Sequence, residues 1–239
     1  MHTSFPLLFA LTLAGGASLT QAAPIVFTST SYTTFAQVDA GDASSGPFID
    51  AANTSMLPIS SAAFALGDNG DSGSAVAFAD ALFLATTSEA SALTTASAST
   101  AVATFSGTFD ALPGLLNLGL DFDAFVDQLA GGFASNLLAV TLEVGGMTLF
   151  DNVLFDSAAI DESFLLASGG AGLFDLTLVS TADAATAGDL AFSLASVNAS
   201  LDAVAVPEPA SAALLLAGLA GIGVARRRAA GRDAPARVA

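Results

Sequence analysis

Three aspartates, Asp121, Asp123 and Asp127, sit close together in the segment LGLDFDAFVDQLAGGF. Two carboxyl groups at a fixed separation, one kept protonated by its surroundings, are the apparatus of glycoside hydrolysis. Asp123 and Asp127 are four residues apart, which on a helix places both on one face. Such a face is ordinarily a solvated one. A second cluster lies in GDNGDSGS, where Asp68, Asn69, Asp71 and Ser72 share a glycine-rich loop. Oxygen ligands at this spacing can bind Ca²⁺, but the bidentate Glu that closes an EF-hand loop does not follow. Asp-Asn-Gly is also an ordinary hairpin turn. The turn is the expectation here, with Asp68, Asn69 and Asp71 kept as a Ca²⁺ candidate and no other cofactor or metal expected.

Other chemistry is excluded by residue type. The chain has 22 acidic and 5 basic residues, a net charge of −17. All five cations are arginines (226, 227, 228, 232 and 237), and the single histidine is His2. From Pro24 to Val206 there is no Lys, Arg, His, Cys or Trp. That stretch cannot clamp a phosphate by charge and has no basic footprint for nucleic acid. Ser-His and Cys-His nucleophile pairs are impossible, as is a His- or Cys-ligated zinc. Only carboxylates, hydroxyls, amides and Tyr32 remain, so the expectation is a protein with no catalytic residues, not an enzyme. The alternatives are a secreted carboxylate-dependent polysaccharide hydrolase and a Ca²⁺-dependent adhesin.

The elements that carry these residues show a period of two. Leu138, Val140, Leu142 and Val144 alternate with Leu137, Ala139, Thr141 and Glu143, and Gly145-Gly146 follows before MTLFDNVLF, which predicts a hairpin. SAVAFADALFLA alternates Val76, Phe78, Asp80, Leu82 and Leu84 against small residues. Phe174, Leu176 and Leu178 alternate with Asp175 and Thr177. Leu190, Phe192 and Leu194 give way to Val197, Ala199 and Leu201, which predicts a register shift. Alanine, Ser and Thr are expected on outward positions. The fold class expected is all-β, an antiparallel β-sandwich of jelly-roll or Ig-like type. One short helix is expected over Leu118, Phe122, Phe125, Val126 and Leu129, ended by Gly131-Gly132. The Ser/Thr/Ala tract from Thr86 to Thr104 is expected as an edge strand or a long connection.

Both ends of the chain have the composition of targeting segments. Residues 1–22 combine an apolar stretch, Pro6 to Leu19, with small residues at Thr20 and Ala22, which predicts a secretory signal peptide cleaved at the Ala22-Ala23 junction. Residues 23–205 are then the exported domain. In 206–239, Pro207-Glu208-Pro209 precedes an apolar run, 210–225, and a basic tail, 226–239, that opens with Arg226-Arg227-Arg228. As a helix the run spans about 24 Å, a little under the ~30 Å of bilayer hydrocarbon. Snorkelling arginines close that gap, and their position puts the tail in the cytoplasm and the domain outside. Two prolines one residue apart keep 207–209 extended and delay the helix.

Pro207-Glu208-Pro209, the run and the arginines, with an export signal at the other end, resemble the PEP-CTERM sorting signal of Gram-negative bacteria. The resemblance covers only the C-terminal region. It implies export by signal peptidase and the Sec machinery, transient residence of the C-terminal helix in the inner membrane, and processing by an exosortase. It further implies a destination at the cell surface or in an extracellular, exopolysaccharide matrix, and a structural or adhesive role.

Overall fold

The computed structural model describes residues 22–52 and 56–204, which fold as thirteen antiparallel strands and no helix. In chain order they are β1 (Ala23–Pro24), β2 (Phe27–Ala40), β3 (Ala43–Ala52), β4 (Ile59–Leu66), β5 (Ser72–Asp80), β6 (Phe83–Ser91) and β7 (Ser97–Ala111). They continue as β8 (Gly114–Leu129), β9 (Phe133–Val144), β10 (Met147–Leu154), β11 (Ala158–Leu166), β12 (Gly170–Ala184) and β13 (Leu190–Val204). Sheet A runs β11-β8-β13-β6-β5-β4, with β1 added to β13; sheet B runs β10-β9-β12-β7-β2-β3. The two pack face to face as the expected sandwich, one compact unit spanning Ala22–Val206. The predicted signal peptide, the Pro-Glu-Pro stretch, the apolar run and the arginines lie outside the described residues. No helix among the described residues is long and apolar enough to cross a membrane.

The sequence alternation is read out directly where large residues face inward. Leu138, Val140, Leu142 and Val144 of β9 are buried, as are Phe174, Leu176 and Leu178 of β12. Gly145 and Gly146 make the predicted hairpin turn, with φ of 60° and 77° that suit a two-residue turn matching the strand twist.

Four expectations are corrected. The predicted helix is the strand β8, in which Leu116, Leu118, Leu120 and Phe122 are buried at every second residue. Leu118 and Phe122, four apart, satisfy both periods, and Phe125 and Leu129 turn out to face the opposite, exposed side. The Thr86–Thr104 tract is neither edge nor long connection: β6 pairs with β5 and β13, and β7 with β12 and β2. SAVAFADALFLA is a hairpin, β5 and β6 meeting at Ala81-Leu82. In β5 the small residues Ala75, Ala77 and Ala79 point in, while Val76 and Phe78 point out. The predicted register shift in β13 is also absent. Odd residues from Ala191 to Leu201 face inward without a break, so Leu190, Phe192 and Leu194 line the outside.

The reversed faces of β5 and of the first half of β13 have one physical cause. The interior is graded along the sandwich. At one end it is filled by Ala90, Ala92, Ala134, Ala182, Ala184 and Ala191. Toward the other it is filled by Phe105, Phe109, Phe122, Phe174 and the leucines of β8, β9 and β12. The rings there pack edge to face, with Phe27 and Phe105 centroids 5.2 Å apart and Phe105 and Phe174 6.0 Å apart. Gly107 and Gly172 leave the room these rings occupy. Where the interior is alanine, the large side chains of the same strands are left to the outer faces.

Candidate functional site

One end of the sandwich gathers the turns at 41–42, 67–71, 92–96, 130–132 and 185–189; we call it the loop end. Asp71 is buried there, 1% exposed. Its carboxylate accepts from the backbone N–H groups of Leu93 (2.7 Å), Thr94 (2.8 Å) and Thr95 (3.2 Å). It also accepts from the hydroxyls of Thr94 (3.0 Å) and Thr95 (2.5 Å). Gly41 packs against it, where a Cβ would stand 2.8 Å from Asp71 Oδ2, and a Cβ on Gly67 would stand 2.8 Å from Ala40 O and Asp42 Oδ1. Asp189 does the same for the neighbouring turns, accepting from Gly131 N–H (2.7 Å), Thr186 N–H (2.8 Å) and the Thr186 hydroxyl (2.9 Å).

The structure therefore separates the predicted Ca²⁺ ligands. Asp71 turns inward, while Asp68 and Asn69 are exposed at the tip of the β4–β5 turn, and the Asp68 N–H is held by Asp42 Oδ1 at 3.1 Å. Among the described residues no group of three or more His, Cys, Asp or Glu is placed to hold a metal ion.

The Thr95 hydroxyl, followed by the Thr94 N–H, holds the Asp71 carboxyl well below the usual carboxylate range, against the opposing effect of burial. A lowered folded-state pKa gives stability that is fully present above the unfolded value, about 3.9, and is lost as pH falls through the lower folded value. The expected result is that Asp71→Asn lowers the Tm at neutral pH. The gap between it and the parent protein should narrow as pH falls below about 4. Thermal melts of both proteins across that range check it; a gap that widens with acid contradicts it.

The three predicted carboxylates are on the outer face of sheet A. Asp121, Asp123 and Asp127 alternate outward along β8, and all are exposed. Their neighbours on β13 are Asn198, Ser196 and Phe192 respectively. A shallow depression of about 200 Å³ is lined by Asp123, Phe125, Ser157, Leu194 and Ser196. Beside it lies another, about 280 Å³, lined by Gly119, Asp121, Asn198 and Ser200 among others. Gly119 keeps the second one open, since a Cβ there would stand 2.6 Å from Ser200 Oγ. The result is a trough with acceptor carboxylates, one amide and several hydroxyls along its floor. It gives way toward the loop end to an apolar field that includes Phe125 and Phe192, 6.2 Å apart, with exposed Leu194, Val76 and Phe64. No cation is within this domain to pair with the carboxylates.

A buried polar bridge supports the trough from behind. Asn136 on β9 of sheet B is 2% exposed. Its Nδ2 donates across the sandwich to the carbonyls of Phe125 (2.9 Å) and Leu194 (3.1 Å). Its Oδ1 accepts from Ser180 Oγ at 2.6 Å, and Ser180 in turn lies 2.7 Å from Thr86 Oγ1. Sequence reasoning missed this residue, because a lone Asn in an alternating strand gives no sign that its partners are two strands of the other sheet.

Comparison with known proteins adds one match by sequence and several by shape. Residues 205–229 match the family model of the PEP-CTERM protein-sorting motif. No curated protein matches the chain. Among solved structures, one similar in shape is described as TmCBM61 in complex with beta-1,4-galactotriose. It is 9% identical over 53% of this chain and 85% of that one, with a TM-score of 0.25. Another is the VP2 subviral particle of infectious bursal disease virus, 10% identical over 84% of this chain and 74% of that one, with a TM-score of 0.16. Neither likeness carries an argument about ligand or function.

Proposed function

We propose, from the premise that this chain carries the PEP-CTERM protein-sorting motif at 205–229, that it is a non-enzymatic structural or adhesive protein of a cell surface or extracellular matrix. The motif implies an exported protein with an exosortase as its processing partner. The match is the observation that carries this reading. Signal peptidase and the Sec machinery deliver the domain, and the C-terminal segment resides in the inner membrane until it is processed. The sandwich is the part that persists.

The ligand class we assign to the sandwich is an uncharged, hydroxyl-rich polymer such as a neutral exopolysaccharide. A face with carboxylates and no cation repels anionic polymers. Asp121 and Asp123 are acceptors for sugar hydroxyls, Asn198, Ser196 and Ser200 both donate and accept, and Phe125 with Leu194 offers apolar contact to a ring face.

The test is affinity electrophoresis or calorimetry of the protein against neutral and anionic polysaccharides. Loss of one hydrogen bond to a charged group costs about 1.5–3 kcal/mol, roughly tenfold or more in affinity. Asp121→Ala and Asp123→Ala are each expected to weaken binding by about that factor, and Gly119→Leu, which fills the trough, to abolish it. Equal binding by all variants, or preference for an anionic polymer, rules the assignment out. Release of reducing ends from any of these polymers, lost on replacing Asp121, Asp123 or Asp127, would make the protein a hydrolase instead.

A further inference from the structure

The end of the sandwich opposite the loop end, the terminal end, is where the chain both enters and leaves the fold. Ala23 pairs with Ala203 and Pro24 with Asp202, and the Ile25 N–H donates to Leu201 O at 2.9 Å. The first and last strand residues of the domain are therefore neighbours. Val204 pairs with Leu115, and Leu115 with Leu165. The turns at 112–113, 145–146 and 167–169 complete this end. A Cβ on Gly169 would stand 3.3 Å from Leu112 Cα, and one on Gly170 3.1 Å from Gly145 Cα.

This rim is apolar where a soluble domain ordinarily shows polar turns. Val26 is 83% exposed, Leu112 and Leu165 are each 74% exposed, and Met147 is 63% exposed. Next to them a groove of about 270 Å³ is lined by Val144, Met147, Leu149, Leu165 and Leu166. Three carboxylates, Asp110, Glu143 and Asp202, lie within two residues of the ends of β7, β9 and β13 at this end. The loop end, by contrast, carries Asp39, Asp42, Asp68, Asp71, Asp183 and Asp189. β13 alone is 15 residues long, which separates the two ends by about 50 Å.

We propose that the terminal end is a membrane-docking surface, which seats on the lipid interface through Val26, Leu112, Met147 and Leu165 for as long as the C-terminal segment is in the bilayer. The inference rests on the reading of 210–225 as a membrane span. Only residues 205–209 lie between Val204 and that run, and at no more than about 3.6 Å per residue they hold the rim within about 20 Å of the hydrocarbon. Contiguous exposed apolar surface of this kind marks a contact site, and here the bilayer is the surface that the chain's own path brings to it. Charge agrees with this orientation, because an anionic leaflet repels the loop end, which carries more carboxylates, more strongly than the terminal end. Docking would present 205–209 at the interface in one orientation, as a membrane-embedded protease requires.

The experiment uses the full chain, which has no native cysteine, reconstituted in vesicles of phosphatidylethanolamine with a minor share of phosphatidylglycerol. An environment-sensitive fluorophore is placed singly by Leu112→Cys, Met147→Cys or Leu165→Cys on the rim, Asn69→Cys or Ala187→Cys on the loop end, and Ala217→Cys in the apolar run. Emission is read with and without nitroxide-labelled lipid. The rim labels are expected to blue-shift and lose most of their emission to the lipid quencher, and the loop-end labels to stay unchanged. A quenched label at 217 with rim labels as wet as the loop-end labels overturns the proposal and leaves the span standing. Rim labels that are blue-shifted but unquenched are covered by protein, a second copy included, and overturn it as well. An unquenched label at 217 removes the span and the docking together.

Discussion

Replacing Pro207, Glu208 and Pro209 together by alanine is expected to leave the protein full-length in the membrane fraction, with delivery to the surface or medium abolished. The three residues match the start of the sorting motif, and their chemistry explains why alanine is a severe change. Each proline fixes its own φ and disfavours helix in the residue before it. By sequence the pair favours extended backbone between the end of β13 and the apolar run, with one charge, Glu208, that prefers the polar interface. Alanine is the best helix former, and three of them followed by Ala210-Ser211-Ala212-Ala213 favour helix through 207–209 and remove the charge. Fractionation and immunoblotting of cells that express each form read the outcome. Glu208→Ala alone tests the charge with the prolines kept. Normal delivery by the triple variant would show that the processing enzyme does not read this stretch.

The second large effect is inside the fold. Asn136→Leu is expected to destabilise the sandwich by about 3 kcal/mol, because it removes three hydrogen bonds of about 1 kcal/mol each. The carbonyls of Phe125 and Leu194 lose this donor, and Ser180 keeps only its contacts with Thr86. For a domain of this size, 3 kcal/mol lowers the Tm by about 6–12 °C. Ser180→Ala removes the links to Asn136 and to Thr86 and is expected to cost about 1–2 kcal/mol. Because the two residues share one network, the double variant should cost less than the sum of the singles. Thermal and denaturant melts of the three proteins supply the cycle, and strict additivity would show that the bridge does not act as a unit. The carbonyls it holds belong to two residues that wall the trough, so ligand affinity should fall in the variant even where it remains folded.

What the sequence disclosed follows from how local each signal is. The sorting motif is a linear string whose parts are read in order, and no folding is needed to see it. The Gly145-Gly146 hairpin is nearly as local, since a turn and its flanking alternation lie within a few residues of each other. The helix expected at Leu118–Leu129 failed because a spacing of four suits both periods, and only the exposure of Phe125 and Leu129 decides between them. The alanine-filled interior at the loop end was hidden for a related reason. Alanine gives little hydropathy contrast, so the eye assigns the large residue of each pair to the core, and in β5 and the first half of β13 that reverses the faces. The three carboxylates of β8 were visible as residues, but their partners Asn198, Ser196 and Phe192 come from β13, about 65 to 77 positions away. Asp71 showed as a loop acid, and its role as the anchor of Leu93, Thr94 and Thr95 depends on a contact across two strands.

On this reading the C-terminal segment is an address that is read and removed. Mass spectrometry of the C-terminus of the mature protein, isolated from its native source, measures this directly. The mature chain is expected to end near Pro207-Glu208-Pro209 and to lack Arg226–Ala239. A mature protein that retains an intact Arg226–Ala239 tail would contradict it and make the segment a permanent anchor.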